Sequence, residues 1–149
     1  MGKIKIFIID DEHMQLTLTR MFIKKVVGET VLVLPFEDLH SAIGEINYSP
    51  DLIVTDYSFE DSTLSTEEFI RFTKHKLPNT KIIVMSATNN AELAVDLIQN
   101  GADGFIIKDE TALYKLEWVI KDIMVDQGIY GRQSFLVKIK NFFGRLIKK

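Results

Sequence analysis

Three carboxylates stand directly after apolar runs. Asp10 and Asp11 follow Ile4–Ile9, and Asp56 follows Leu52-Ile53-Val54-Thr55. Two further apolar runs end on Ser86-Ala87-Thr88 and on Lys108-Asp109. Brought to one rim, these groups could perform phosphoryl chemistry. Acids held close together repel, and their pKa values are driven apart unless a cation sits among them. A set of oxygen ligands with room for water suits Mg2+. With a cation and a lysine on either side, a carboxylate can act as nucleophile while the phosphoryl oxygens are neutralised. A neighbouring hydroxyl can then donate to a phosphoryl oxygen. Each residue alone has a plainer reading. The acid pair could cap a helix, Ser86 could cap a loop, and Lys108 could be a solvated charge. What sets the group apart is that every member ends an apolar run.

The elements that must position these residues alternate. Short runs biased to β-branched and aromatic residues predict strands over Ile4–Ile9, 30–34 (stopped at Pro35), 52–54, 81–85 and Gly104–Ile107. Helical patterns lie between them. The pattern over 14–27 places Leu18, Met21, Phe22 and Lys25 on one side and ends near Gly28. A helix over 38–47 can start on an Asp38 cap. Ser65-Thr66-Glu67-Glu68 reads as a capping box ahead of Phe69, Ile70 and Phe72, with Pro78 past the end. A helix over Ala91–Gln99 stops at Asn100-Gly101. Residues 111–126 repeat Leu113, Leu116, Ile120, Ile123 and Met124 at helical spacing. Five strand–helix alternations predict an α/β fold, a doubly wound five-stranded parallel sheet with helices on both faces. Ligands of such folds sit at the carboxyl ends of the strands, where the candidate residues fall.

Other chemistries are disfavoured. The chain has no cysteine, so disulfide, thiolate and Cys–metal chemistry are absent. The N-terminus turns acidic too early for a signal peptide, and no apolar run approaches a membrane span. A cytoplasmic location is expected. There is no G-x-G-x-x-G and no P-loop, and Asp10-Asp11-Glu12 has the wrong charge to cradle phosphate as a flavodoxin-like enzyme would. His13, His40 and His75 lack metal-ligand spacing and read as surface groups. Trp118 reads as packed or partly exposed. Met14, Met21, Met85 and Met124 read as core filler.

The runs IIDDE at 8–12, DLIVTD at 51–56, IIVMSAT at 82–88 and GADGFIIKD at 101–109, in this order and spacing, resemble the receiver domain of two-component response regulators, the CheY-like fold. The resemblance covers about residues 3 to 126. It implies that Asp56 is the phosphoryl acceptor, and that Asp11 binds Mg2+ directly with help from Asp10. It further implies that the Ser58 carbonyl is a metal ligand, that Lys108 pairs with the phosphoryl group, that Ser86 moves to hydrogen-bond it, and that Phe105 changes rotamer as Ser86 shifts. The donor would be a histidine kinase or phosphotransfer protein. The response would be a population shift at the surface around 91–99, 104–107 and 111–126. Such a domain is a signalling switch, with at most self-catalysed phosphotransfer and autodephosphorylation. The loop Tyr57-Ser58-Phe59-Glu60-Asp61-Ser62 departs from the family's Met-Pro-Gly pattern, and Glu60 and Asp61 add negative charge near the site. Ser58 and Thr88, each two residues past a site residue, are expected to influence hydrolysis. The alternative is a constitutive adaptor, a pseudo-receiver that presents the tail to a partner.

The tail differs in charge from the body. Residues 1–126 carry 12 basic and 21 acidic side chains, a net of −9, whereas 127–149 carry six basic residues and no acid. Domain boundaries of 1–126 and 127–149 follow. Such receivers often precede a helix-turn-helix DNA-binding domain, but the 23 residues after Asp126 are too few for one, and an acidic body is a poor nucleic-acid surface. At helical spacing Phe135, Leu136, Ile139, Phe142, Phe143, Leu146 and Ile147 share one arc, and Lys138, Lys140, Arg145, Lys148 and Lys149 the other. Three readings are open: a helix packed on the receiver or on a second copy, a helix docked in a downstream partner's groove, and a helix on an anionic membrane. A homodimer is expected, through the 91–126 face or the tail.

Overall fold

Successive side chains of a strand point to opposite faces, so a sheet covered on both sides needs apolar residues at every position. Such strands appear in the computed structural model, which describes residues 3–60 and 62–129. The order is β1 (Ile4–Ile9), α1 (His13–Val27), β2 (Val31–Phe36), α2 (Leu39–Gly44), β3 (Leu52–Asp56), α3 (Thr66–Lys76), β4 (Lys81–Ser86), α4 (Ala91–Gln99), β5 (Gly104–Ile107) and α5 (Ala112–Asp126), with 3-10 turns at Gly28–Thr30 and Ile46–Tyr48. The strands form one sheet in the order β2-β1-β3-β4-β5, and all four pairings are parallel.

The pleat sorts the core into two halves. Ile4, Ile6 and Ile8 of β1 and Leu52 and Val54 of β3 pack beneath α1 and α5. Phe7 and Ile9 of β1 and Ile53 of β3 pack beneath α2, α3 and α4. Phe7, Phe69, Ile53 and Ile82 are fully buried, and each such side chain contributes roughly 1.5–3 kcal/mol.

Several expectations shift in detail. Pro35 does not stop β2 but lies within it, paired in register with Ile8. β2 is an edge strand, where a missing N–H costs no ladder bond. α2 is shorter than the predicted 38–47, ending at Gly44, a poor helix former. Asp38 does cap it, accepting from Ser41 N at 2.7 Å, and Ser65 caps α3 by accepting from Glu68 N at 3.0 Å.

The larger correction concerns α1. Leu16 and Ile23 are its buried residues, while Met14, Leu18 and Met21 are 71%, 50% and 63% exposed. Met85 and Met124 are core residues, but Met14 and Met21 are not. At 3.6 residues per turn, Met14, Leu18 and Met21 lie on the side of α1 roughly opposite Leu16 and Ile23. α1 thus carries two apolar lines, and the sheet can cover only one. The expected tail helix over 127–149 lies almost wholly outside the described residues.

Candidate functional site at the carboxyl ends of the strands

Parity along the strands decides which side chains meet. Asp10 continues the Ile6–Ile8 side of β1, and Asp56 continues the Leu52–Val54 side of β3, so both reach the rim on the α1–α5 side. Lys108, two residues beyond Ile106, joins them. Its Nζ lies 3.0 Å from Asp56 Oδ1 and 3.4 Å from Asp10 Oδ2. Asp56 Oδ1 also accepts from Tyr57 N at 2.9 Å. Among the described residues no hydrogen bond is made to Asp56 Oδ2. Asp10 is buried and its Oδ1 accepts from Glu12 N at 2.9 Å, which fixes the turn into α1. Asp11 is exposed on the same turn.

One ammonium therefore serves two carboxylates. Burial pushes the Asp56 carboxyl above its ordinary value, and nearby Asp10 pushes the same way, against hydrogen bonding and attraction from Lys108. For Lys108, burial acts to lower the pKa. Its hydrogen bonds to Asp56 and Asp10 and their negative fields outweigh that, and the net shift is upward. The excess negative charge fits a cation. Asp10, Asp11 and Asp56 can each offer an oxygen, all within 4.8 Å of one another. An all-oxygen set with an exposed side open to water suits Mg2+.

Ser86 and Phe105 lie on the other side of the sheet. Ser86 follows Ile82 and Val84, the strand residues facing α4, and is buried. Its Oγ accepts from Thr88 N at 3.3 Å. Phe105 pairs with Val84 and is packed, partly buried, on the same half of the core. Ser58 is exposed on the β3–α3 loop, where it lines a shallow depression with Tyr57, Phe59 and Glu67. In the same loop, Glu60 N points to Asp11 Oδ2 at 3.4 Å; Asp61 lies outside the described residues. His13, His40 and His75 are exposed, as expected. His13 Nδ1 pairs with Glu37 Oε1 at 3.0 Å.

Sequence reasoning missed two features of the site. Tyr57 is tied down after the acceptor position: its carbonyl accepts from Thr66 Oγ1 at 2.8 Å and its hydroxyl donates to Glu67 Oε1 at 3.2 Å. Burial and the Glu67 carboxylate raise the Tyr57 pKa, keeping the phenol protonated. The second is a cavity of about 260 Å3 between α1 and α5, lined by Leu18, Val54, Met85 and Leu113 and opening beside Asp56 and Lys108. No local motif announces either, because both depend on residues distant in sequence.

The family model for the response regulator receiver domain matches residues 6–117. Among curated proteins, the chain is 28% identical over 135 residues to the Probable C4-dicarboxylate response regulator DctR of Priestia megaterium, a match over 90% of this chain and 54% of that protein. The chain thus spans about half the length of that relative. Among solved structures, the RcsB response regulator of Salmonella typhimurium superposes with a TM-score of 0.71 at 22% identity, over 86% of this chain and 62% of that one. The receiver domain of NtrX from Brucella abortus gives 0.70 at 26% identity, over 80% and 97%.

Proposed function

The chain belongs to the response regulator receiver domain family, and from that premise we propose that it is a phosphorylation-controlled switch with Asp56 as the acceptor. The observation that carries this reading is the Asp10–Lys108–Asp56 cluster, a raised-pKa carboxylate held by one shared ammonium. The donor is a histidine kinase or phosphotransfer protein, and the receiver of the signal is a downstream protein. Asp56 Oδ2 attacks phosphorus, the donor's bond to phosphorus breaks, and its electron pair leaves with the donor. Lys108 screens the added charge, and Ser86, which faces α4 in the unphosphorylated site, moves to donate its hydroxyl to a phosphoryl oxygen. Phe105 follows Ser86, on the α4 side of the sheet, and carries the change to the surface. Asp10, Asp11, Asp56 and the Ser58 carbonyl would hold Mg2+, which when bound supplies positive charge against the phosphoryl oxygens. The receiver unit is read as 1–126, followed by the basic segment 127–149, whose first residues still touch the receiver through Gln127 and Ile129.

The test is intact mass after incubation with acetyl phosphate, with and without Mg2+, on wild type and Asp56→Ala. A single Mg2+-dependent phosphoryl adduct, lost in the variant, is expected. Labelling that persists in Asp56→Ala would place the acceptor elsewhere. Absence of both adduct and Mg2+ binding would favour the constitutive adaptor.

A further inference from the structure

We propose that Thr66 is a positioning residue of the site, whose hydroxyl, from the first turn of α3, sets the backbone of Tyr57 and Ser58 beside Asp56; this rests on the reading of Asp56 as phosphoacceptor and of the Ser58 carbonyl as a Mg2+ ligand.

The loop after the acceptor needs an outside anchor. Residues 57–62 read Tyr-Ser-Phe-Glu-Asp-Ser, with neither proline nor glycine. No residue of the segment therefore presets a turn, as proline would through its fixed φ or glycine through φ above zero. Tyr57 takes up that task through its partners. Its N–H donates to the Met85 carbonyl of β4 at 3.0 Å and to Asp56 Oδ1 at 2.9 Å. Its carbonyl accepts from Thr66 Oγ1 at 2.8 Å, and its hydroxyl donates to Glu67 Oε1 at 3.2 Å. One residue thus joins β4, the acceptor and α3.

The α3 end of this link is firmly seated. Ser65 caps the helix by accepting from Glu68 N. Thr66 is itself buried, and Phe69 and Ile70, one turn on, are fully buried. Because Ser65 fills the capping role, the Thr66 hydroxyl is left to serve the Tyr57 carbonyl. A site group held by an element packed this way keeps its place better than one held by a loop alone.

The bond fixes a direction as well as a distance. A peptide unit is planar and trans, and no cis bond occurs among the described residues. With the Tyr57 carbonyl turned to α3, the Ser58 N–H is turned away from that helix. α3 packs on the half of the sheet opposite the one on which Asp10, Asp56 and Lys108 meet. Among the described residues Ser58 N donates no hydrogen bond. The clamp therefore holds an unpaired donor directly after the acceptor and sets where Ser58, with its carbonyl, begins. Contacts that orient a metal ligand from behind typically weaken metal affinity about 10-fold or more when removed.

The test compares four full-chain variants with wild type. Thr66→Val and Thr66→Ala each remove the hydroxyl, and Thr66→Ser keeps it. Thr80→Val removes a matching bond elsewhere: Thr80 is buried, and its Oγ1 donates to the Pro50 carbonyl at 2.7 Å, at the opposite end of the sheet. Mg2+ dissociation constants are read by titration calorimetry, phosphoryl uptake from acetyl phosphate by intact mass, and stability by Tm. Thr66→Val and Thr66→Ala are expected to weaken Mg2+ binding about 10-fold and to slow phosphoryl uptake. Thr66→Ser should recover both. Thr80→Val should lower Tm and leave Mg2+ affinity unchanged. Unchanged Mg2+ affinity in the two hydroxyl deletions, no recovery in Thr66→Ser, or an equal loss in Thr80→Val overturns the proposal and leaves Asp56 as acceptor. Wild type that neither binds Mg2+ nor takes up a phosphoryl group removes the acceptor reading itself, and the positioning role with it.

Discussion

Lys108 is the residue on which the charge balance of the site rests. Asp56 has a folded-state pKa above its unfolded value, so its ionisation opposes folding at neutral pH, and that cost disappears as pH falls through the raised value. Without divalent cations, Asp56→Asn is therefore expected to raise Tm at pH 7, with the gain shrinking on acidification; a calorimetric pH series reads this directly. Added Mg2+ should raise the Tm of wild type more than that of Asp56→Asn, because a ligand stabilises only the state it binds. Lys108→Ala leaves Asp10 and Asp56 facing one another without a cation. It should cost about 1–3 kcal/mol at neutral pH, measured by urea unfolding, with part of the loss recovered by Mg2+ or by acid.

At the scale of elements, capping and edge position explain where boundaries fall. α2 spans six residues, too few to be helical without its ends secured. Ser41 N and Oγ hold the Asp38 carboxyl below its ordinary pKa. Asp38→Ala should cost about 1 kcal/mol above the unfolded-state pKa. The difference should fade as pH falls through the lowered value, since the bond is lost when Asp38 takes up its proton. Gly101 follows α4 with φ of 116°, and a Cβ added there would lie only 3.1 Å from Lys74 Cγ. Gly101→Ala is expected to destabilise by about 1–2 kcal/mol in chemical denaturation.

At the scale of the whole molecule, the exposed apolar side chains of the described residues include groups on two separate helices. One group is on α1. The other is on α4, where Val95 and Ile98 are exposed, within the 91–126 region expected to carry the output. Phosphorylated protein is expected to associate through the α4 group, and Val95→Asp with Ile98→Asp should keep it monomeric in sedimentation velocity. A monomer at every concentration, with and without phosphorylation, would contradict this. Among the described residues, no helix is long and apolar enough to cross a membrane.

The amino-acid sequence alone determined the order of elements, because strand burial, helix period and caps are local patterns: Ile4–Ile9, Ala91–Gln99 and Gly104–Ile107 fall where the pattern puts them. It also placed Asp10, Asp56 and Lys108 at strand ends, since a buried strand stops where a charged group must reach the surface. Tertiary structure decided what adjacency and parity control. Only the strand order puts β1 beside β3. Only the pleat sends Asp10, Asp56 and Lys108 to the α1–α5 side and Ser86 to the side facing α4. The exposure of Met14 and Met21 was likewise illegible, because an apolar line on a helix does not say which of two lines the sheet will cover. Pro35 was misplaced for a related reason: whether proline is tolerated depends on β2 being an edge strand, a property of the sheet and not of the segment.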